Sequence, residues 1–343
     1  MRRGTLTLVV WVVAGCSAGG GSLSATSPDP PLRQATGRLE PEPGRPVSLP
    51  TRVEADRFFL VPVSEDGHEL SLCTDTAGGS WLSREAAERA GLSVVTVEGE
   101  EGPVEAALLP TFAWDAWIPK LEALGGRVPV TQGARLSFLG ANVDGLLGQA
   151  WFGDRVWTFD YEAGELLQRA DGDLPMHEPA SRLPVGFKTD ESGKRLSSYP
   201  RVDVKIGGAT VSMLLATGAT ARLSPAARGA LGDDLPAIRA TSFVSAATFD
   251  AWRTSHAAWR VLEGADELAD GAAMIEVPTV EIAGHSVGPV WFSRRADASF
   301  VDWTARAANG KVDGALGGNA LRFFRLSLDY PRRLAVFERI TGR

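Results

Sequence analysis

Two stretches of this chain are written twice, and that duplication restricts the possible folds more than any other feature. Val143-Asp144-Gly145-Leu146-Leu147-Gly148 reads against Val312-Asp313-Gly314-Ala315-Leu316-Gly317, and an Asp-Tyr pair follows each at equal spacing, Asp160-Tyr161 and Asp329-Tyr330. Upstream, Phe59 to Val63 and Gly67 to Ser83 match Arg201 to Val204 and Gly208 to Ser224 at a constant offset of 141. In that match Val61, Val63, Gly67, Ser71, Thr76, Leu82 and Ser83 meet Val202, Val204, Gly208, Ser212, Thr217, Leu223 and Ser224. A chain of 343 residues is long enough for two such units, each with its own core.

Both halves show an alternating strand, a Gly-containing turn, an apolar strand, a sharp loop of Thr and small residues, a short helix, and later strands around a Gly turn. The helices are expected at Arg84 to Ala90 and Pro225 to Ala230. Strands are expected at Val94 to Val97, Val104 to Leu108, Val156 to Phe159, Val277 to Ile282, Val290 to Phe292 and Leu326 to Leu328. Many short strands with little helix imply a mainly β protein of two tandem lobes, residues 51–170 and 184–343, joined by a linker at 171–183 that contains Pro175 and Pro179. The second lobe is longer by about thirty residues, an insertion expected within Ala237 to Gly271.

The chain opens with Met1-Arg2-Arg3 and an apolar run from Leu6 to Ala14, the pattern of an export signal over residues 1–15 and too short for a permanent membrane helix. Val13-Ala14-Gly15-Cys16 resembles a bacterial lipobox, which implies lipidation at Cys16 and a protein anchored in the bacterial cell envelope, at the outer membrane facing the periplasm or the exterior. A plain secretory signal with an incidental Cys is the alternative. Residues 16–50, with Gly19-Gly20-Gly21 and seven prolines, lack apolar periodicity and are expected to be a flexible tether. Cys73 is then the only thiol of the body, so no intramolecular disulfide can staple it.

Leu70 to Gly78, followed by Trp81-Leu82-Ser83, resembles the catalytic loop of pepsin-like and retropepsin-like aspartic proteases: apolar residues, then Asp-Thr-Gly and a small residue. Leu146-Leu147-Gly148 and Ala315-Leu316-Gly317 are similar to that family's apolar-apolar-Gly element, which threads beneath the loop. The resemblance implies two retropepsin-like β-barrel lobes forming a pseudo-dimer, Asp75 as a catalytic carboxylate, and an extended peptide or protein as substrate. It also implies a grip across the lobe interface through Thr76 and Thr217. The family's chemistry needs two carboxylates sharing a proton, one activating water and the other polarising the peptide carbonyl. The second loop, Met213 to Thr220, fits the pattern through Thr217, Gly218 and Ala219, but Ala216 stands where the second Asp belongs, and in the first loop Ala77 replaces Gly. Two readings therefore stay open: a peptide hydrolase, for example by two chains bringing two copies of Asp75 together, or an inactive homologue that binds extended peptides as a sensor or scaffold. Val94 to Leu108, turning at Gly99-Glu100-Glu101-Gly102, is either the family's flap or an ordinary hairpin.

Asp144, Asp160, Asp313 and Asp329 are expected to be turn or strand-end residues, and Cys73 a core residue. His68, His177, His256 and His285 are scattered, so neither a metal nor another cofactor is expected. Trp114, Trp117, Trp252 and Trp259 read as core or interface, the last two sharing one face with His256 if that segment is helical. A net charge of -7 without a basic run argues against nucleic acid as a partner. Oligomeric state is not legible.

Overall fold

The computed structural model describes residues 45–99, 102–113, 116–121, 123–174, 181–298, 300 and 308–342. The export signal, Cys16, most of the tether, Trp114 and His177 lie outside them. The chain is mainly β and bilobal, a pseudo-dimer of two lobes, one with an 8-stranded and the other with a 9-stranded sheet.

A six-stranded sheet joins the lobes, three strands from each: Val47–Ser48, Glu165–Arg169, Val156–Asp160, then Phe324–Asp329, Leu334–Arg339 and Arg182–Pro184. Its two middle strands carry the repeated Asp-Tyr elements and run antiparallel, with Thr158 opposite Ser327. These two residues are counterparts in the duplication, so the pseudo-twofold axis passes between them, where their buried hydroxyls lie 2.7 Å apart. Val47 and Ser48, inside the expected tether, and Arg182 and Leu183, inside the expected linker, are the edge strands of this sheet. Each covers a row of backbone groups that would otherwise be left unpaired, and Leu49 is buried beside the first.

Within each lobe the apolar strand leading into the loop pairs in parallel with the Gly-turn strand. Leu72, Cys73 and Thr74 face Gly145, Leu146 and Leu147, and Met213, Leu214 and Leu215 face Gly314, Ala315 and Leu316. A third strand closes the other side antiparallel: Trp81 and Leu82 against Leu146 and Gly145, Phe243 and Val244 against Ala315 and Gly314. The partner in the second lobe is thus Phe243-Val244-Ser245, not Arg222 to Ser224 as the constant offset of 141 implies. Ser83 donates its N–H to Asp144 O at 2.7 Å and Ser245 donates to Asp313 O at 3.0 Å, which fixes the same correspondence. The insertion accordingly lies at residues 220–240, between Ala219 and Thr241, rather than within Ala237 to Gly271.

The reason for the mismatch is local chemistry used three times. Ser83, Ser224 and Ser245 each follow a short strand and accept the N–H three residues on, from Ala86, Ala227 and Thr248, capping helices Arg84–Arg89, Pro225–Leu231 and Ala246–Ser255. The strand, cap and helix at 220–231 copy the pattern of the first lobe, yet Thr220–Arg222 pairs only with Ile238–Ala240 in a separate two-stranded sheet. The expected strand Val277 to Ile282 is also two strands, Ala272–Val277 and Val280–Ile282, because Pro278 has no N–H for the ladder. Val94–Gly99 and Gly102–Leu108 form the expected hairpin, at the end of the 8-stranded sheet.

Candidate functional site

The two loops meet at the lobe interface through a closed ring of hydrogen bonds. Thr76 Oγ1 donates to Leu215 O at 2.6 Å and accepts from Thr217 N at 3.3 Å; Thr217 Oγ1 donates to Thr74 O at 3.3 Å and accepts from Thr76 N at 3.2 Å. Both threonines are fully buried. Each hydroxyl uses its one proton and accepts one N–H, so no buried polar group of the ring is left over.

The strands beneath hold both loops alike. Asp75 N and Ala216 N donate to Leu147 O and Leu316 O, each at 2.9 Å, and Gly78 N and Ala219 N close the turns onto Asp75 O and Ala216 O at 3.1 and 3.0 Å. The Gly turns need glycine because the loops press on them. A Cβ on Gly148 would lie 2.1 Å from Gly78 O, and one on Gly317 would lie 1.8 Å from Thr241 O. Ser80 and Ser242 accept from Gly148 N and Gly317 N, both at 3.0 Å. These serines were not singled out in the sequence, because their offset differs from 141 once the insertion intervenes.

Asp75 is 9% exposed. Its Oδ1 accepts the Ala77 N–H at 3.0 Å, and the N–H of Gly218, from the other lobe, also faces the carboxylate. Burial raises its pKa from 3.8 to about 6, against the pull of those two donors, which favour the ionised form. Gly218 approaches so closely that a Cβ there would lie 2.5 Å from Asp75 Cβ. The counterpart of Gly218 in the first loop, Ala77, already carries that methyl. Ala77 and Ala216 share one buried apolar cluster with Tyr199, Leu214, Ala219 and Val312. The position that matches Asp75 in the repeat, Ala216, is therefore packed among hydrocarbon.

Other residues singled out in the sequence lie away from this chemistry. Asp144 and Asp313 accept the N–H groups of Ser71 and Ser212 at 2.9 and 3.1 Å. Asp160 accepts from Glu162 N, Ala163 N and Arg325 Nε, and Asp329 from Arg332. Cys73 is wholly buried and its thiol is pushed up to about 12, chiefly by burial. Trp252 and Trp259 meet at 5.9 Å between centroids, but the helix ends at Ser255, so loop geometry and not a helical face brings them together, with His256 stacked on Trp259. Among the described residues no group of His, Cys, Asp and Glu is placed to hold a metal ion.

The sequence reading missed Arg57. Its side chain is fully buried, and its guanidinium donates to Leu139 O at 2.7 Å, Thr220 Oγ1 at 3.4 Å and Ile238 O at 3.4 Å, joining the first lobe to the insertion of the second. The available signal is a basic residue opening the short apolar strand Arg57–Leu60, all four of whose residues are buried.

No family model matches the sequence, and no curated protein matches it. Among solved structures the chain is similar to an aspartic proteinase from Irpex lacteus (11% identity, 87% of this chain and 98% of that one, TM-score 0.47). It is likewise similar to EDGP (10% identity, 87% and 96%, TM-score 0.47) and to Basic 7S globulin from soybean (10% identity, 88% and 98%, TM-score 0.45).

Proposed function

We propose that this protein holds an extended peptide between its lobes at Asp75 and does not hydrolyse it by the two-carboxylate mechanism. The observation that carries this reading is that the bonds joining the two loops are complete although one loop ends in the methyl of Ala216. The hydrolytic mechanism needs one carboxylate to take a proton from water while a second, protonated one polarises the carbonyl. Asp75 alone can be in one of those states at a time. A peptide strand gripped by main-chain hydrogen bonds needs neither, and a protonated Asp75 would donate a hydrogen bond to a peptide carbonyl. The hairpin from Val94 to Leu108 is the proposed cover. Val95 and Leu108 on it are two of the large apolar side chains left exposed among the described residues, suited to contact apolar side chains of a bound strand.

Hydrolysis by two chains, each giving its Asp75, is disfavoured by the same ring. Thr76 is already bonded within its own chain, and Gly218 fills the space beside Asp75 that a second copy of the loop would need. The experiment is a pair of assays from pH 4 to 8 on one set of unstructured peptides, binding by fluorescence anisotropy and cleavage by mass spectrometry. Binding without cleavage is expected. Cleavage that rises with the square of protein concentration and vanishes in Asp75→Asn overturns the reading in favour of the two-chain enzyme.

The cell envelope remains the proposed location, with Cys16 as lipid attachment site, supported by the charged and apolar pattern from Met1 to Cys16. Cys16→Ser is expected to abolish incorporation of labelled fatty acid and to move the protein from the membrane to the soluble fraction.

A further inference from the structure

An arginine wholly removed from water is costly unless paired. Arg57 is such a residue, and among its described contacts no carboxylate lies within ion-pairing distance. Burial lowers its pKa, opposed by Cys73 and Glu54, and the Phe59 ring lies 5.2 Å below the guanidinium. Its hydrogen bonds go to carbonyls and one hydroxyl, and that hydroxyl leads to Asp75. Thr220 Oγ1, which accepts from Arg57, donates to Gly218 O at 2.8 Å, and the Gly218 N–H faces the Asp75 carboxylate.

Gly218 cannot hold itself in place. Any side chain would strike Asp75, so the residue must be glycine, and glycine has the widest backbone freedom. Its orientation has to be imposed from both sides. On the N-terminal side Thr217 is fixed in the threonine ring; on the C-terminal side the only described side-chain bond to Gly218 O is that of Thr220. The insertion is held against the first lobe independently, by Ala240 N to Ala55 O at 3.0 Å.

We infer that Arg57 and Thr220 are positioning residues: they clamp the insertion at 220–240 to the first lobe and thereby aim the Gly218 N–H at Asp75, setting the protonation of that single carboxyl. The inference rests on the reading of Asp75 as the acting group of the site and adds to it a function for the insertion. The ionisable groups that feel Asp75 are Cys73, Tyr161 and Tyr330; burial raises all three, which keeps them neutral at physiological pH. No charge on them competes with the backbone donors.

The test titrates Asp75 in the full chain by carbon-13 carboxyl NMR, assigned by loss of the signal in Asp75→Asn. Thr220→Val changes no charge and removes only the hydroxyl, so the expected result is a midpoint raised by about one pH unit, the effect of losing one N–H donor to a carboxylate. Thr220→Ser keeps the hydroxyl and is expected to restore the original midpoint. An unmoved midpoint in folded Thr220→Val overturns the inference. Should that variant not fold, Arg57→Lys is read in the same way: it keeps the charge and loses the forked geometry, a raised midpoint supports the clamp, and an unmoved one overturns it. Peptide affinity is measured on the same samples. Absence of binding in the unaltered chain defeats the peptide reading and leaves the titration to decide the clamp by itself.

Discussion

The first loop, Thr74 to Gly78, and the second, Leu215 to Ala219, make the same backbone bonds to the strands beneath and to each other, yet of their five side chains they share only the threonine. One loop has Asp75 and Ala77, the other Ala216 and Gly218. Gly218 of the second loop sits against Asp75 of the first. A methyl at Gly218 has no room beside Asp75, whereas Ala77, its counterpart, packs its methyl in one apolar cluster with Ala216. The interface is closed by the threonines and the backbone, with a carboxylate in one loop only.

The largest way to break that equivalence is to cut the ring. Thr76→Val or Thr217→Val leaves a buried N–H and a buried carbonyl without partners and is expected to destabilise the protein by about 4 kcal/mol, measured by denaturant unfolding. The double variant leaves all four of these groups unpaired and should cost close to the sum of the two. If either variant is neutral, the ring does not hold the lobes. Gly218→Ala comes next, at about 3 kcal/mol, because its methyl has only Asp75 and Thr74 O to displace.

The acid itself sharpens the comparison through pH. The folded pKa of Asp75, about 6, lies above its ordinary value of 3.8, so folding holds the proton more tightly. That contribution is complete below pH 3.8, shrinks as pH rises, and is gone above pH 6, a change of between 2 and 3 kcal/mol to order of magnitude. Asp75→Asn should flatten this part of the stability profile, and an unchanged slope between pH 4 and 6 would show that Asp75 is not the group responsible. The smallest effect belongs to Ala77→Gly, at about 1 kcal/mol from backbone freedom, although its counterpart Gly218 tolerates no methyl. Ala216→Asp places a carboxylate in the cluster of Ala77, Tyr199 and Val312, and it should fold better when combined with Ala77→Gly than alone, as compared by thermal midpoints.

Much of this was legible in the residues. The parallel pairing of Leu72-Cys73-Thr74 with Gly145-Leu146-Leu147 is announced by its repetition at 213–215 and 314–316, since a unit written twice folds twice. The loop residues from Asp75 to Gly78 and from Ala216 to Ala219 fall where the repeat places them. The offset misled just beyond, at Leu223-Ser224, because an apolar residue, a capping serine and a helix is a local solution that any chain can reuse, and here the third copy, at Val244-Ser245, took the place in the sheet. Arg57 and Thr220 were invisible for a different reason. Their importance lies in contacts between segments separated by 163 residues, and no local pattern records such a meeting.

The pairing of Thr158 with Ser327 has a consequence for the symmetry itself. A twofold axis can relate two lobes but cannot relate the two ends of an O–H···O bond, because the bond has a direction. Arg169 Nε donates to Thr158 Oγ1 at 2.7 Å, while the counterpart of Arg169 in the second lobe is Glu338. Thr158 thus meets an arginine donor on its side of the axis, and either hydroxyl can donate in the bond it shares with Ser327. At its very centre the duplicated chain already distinguishes its two halves, by an arginine on one side of a shared bond and a glutamate at the matching position on the other.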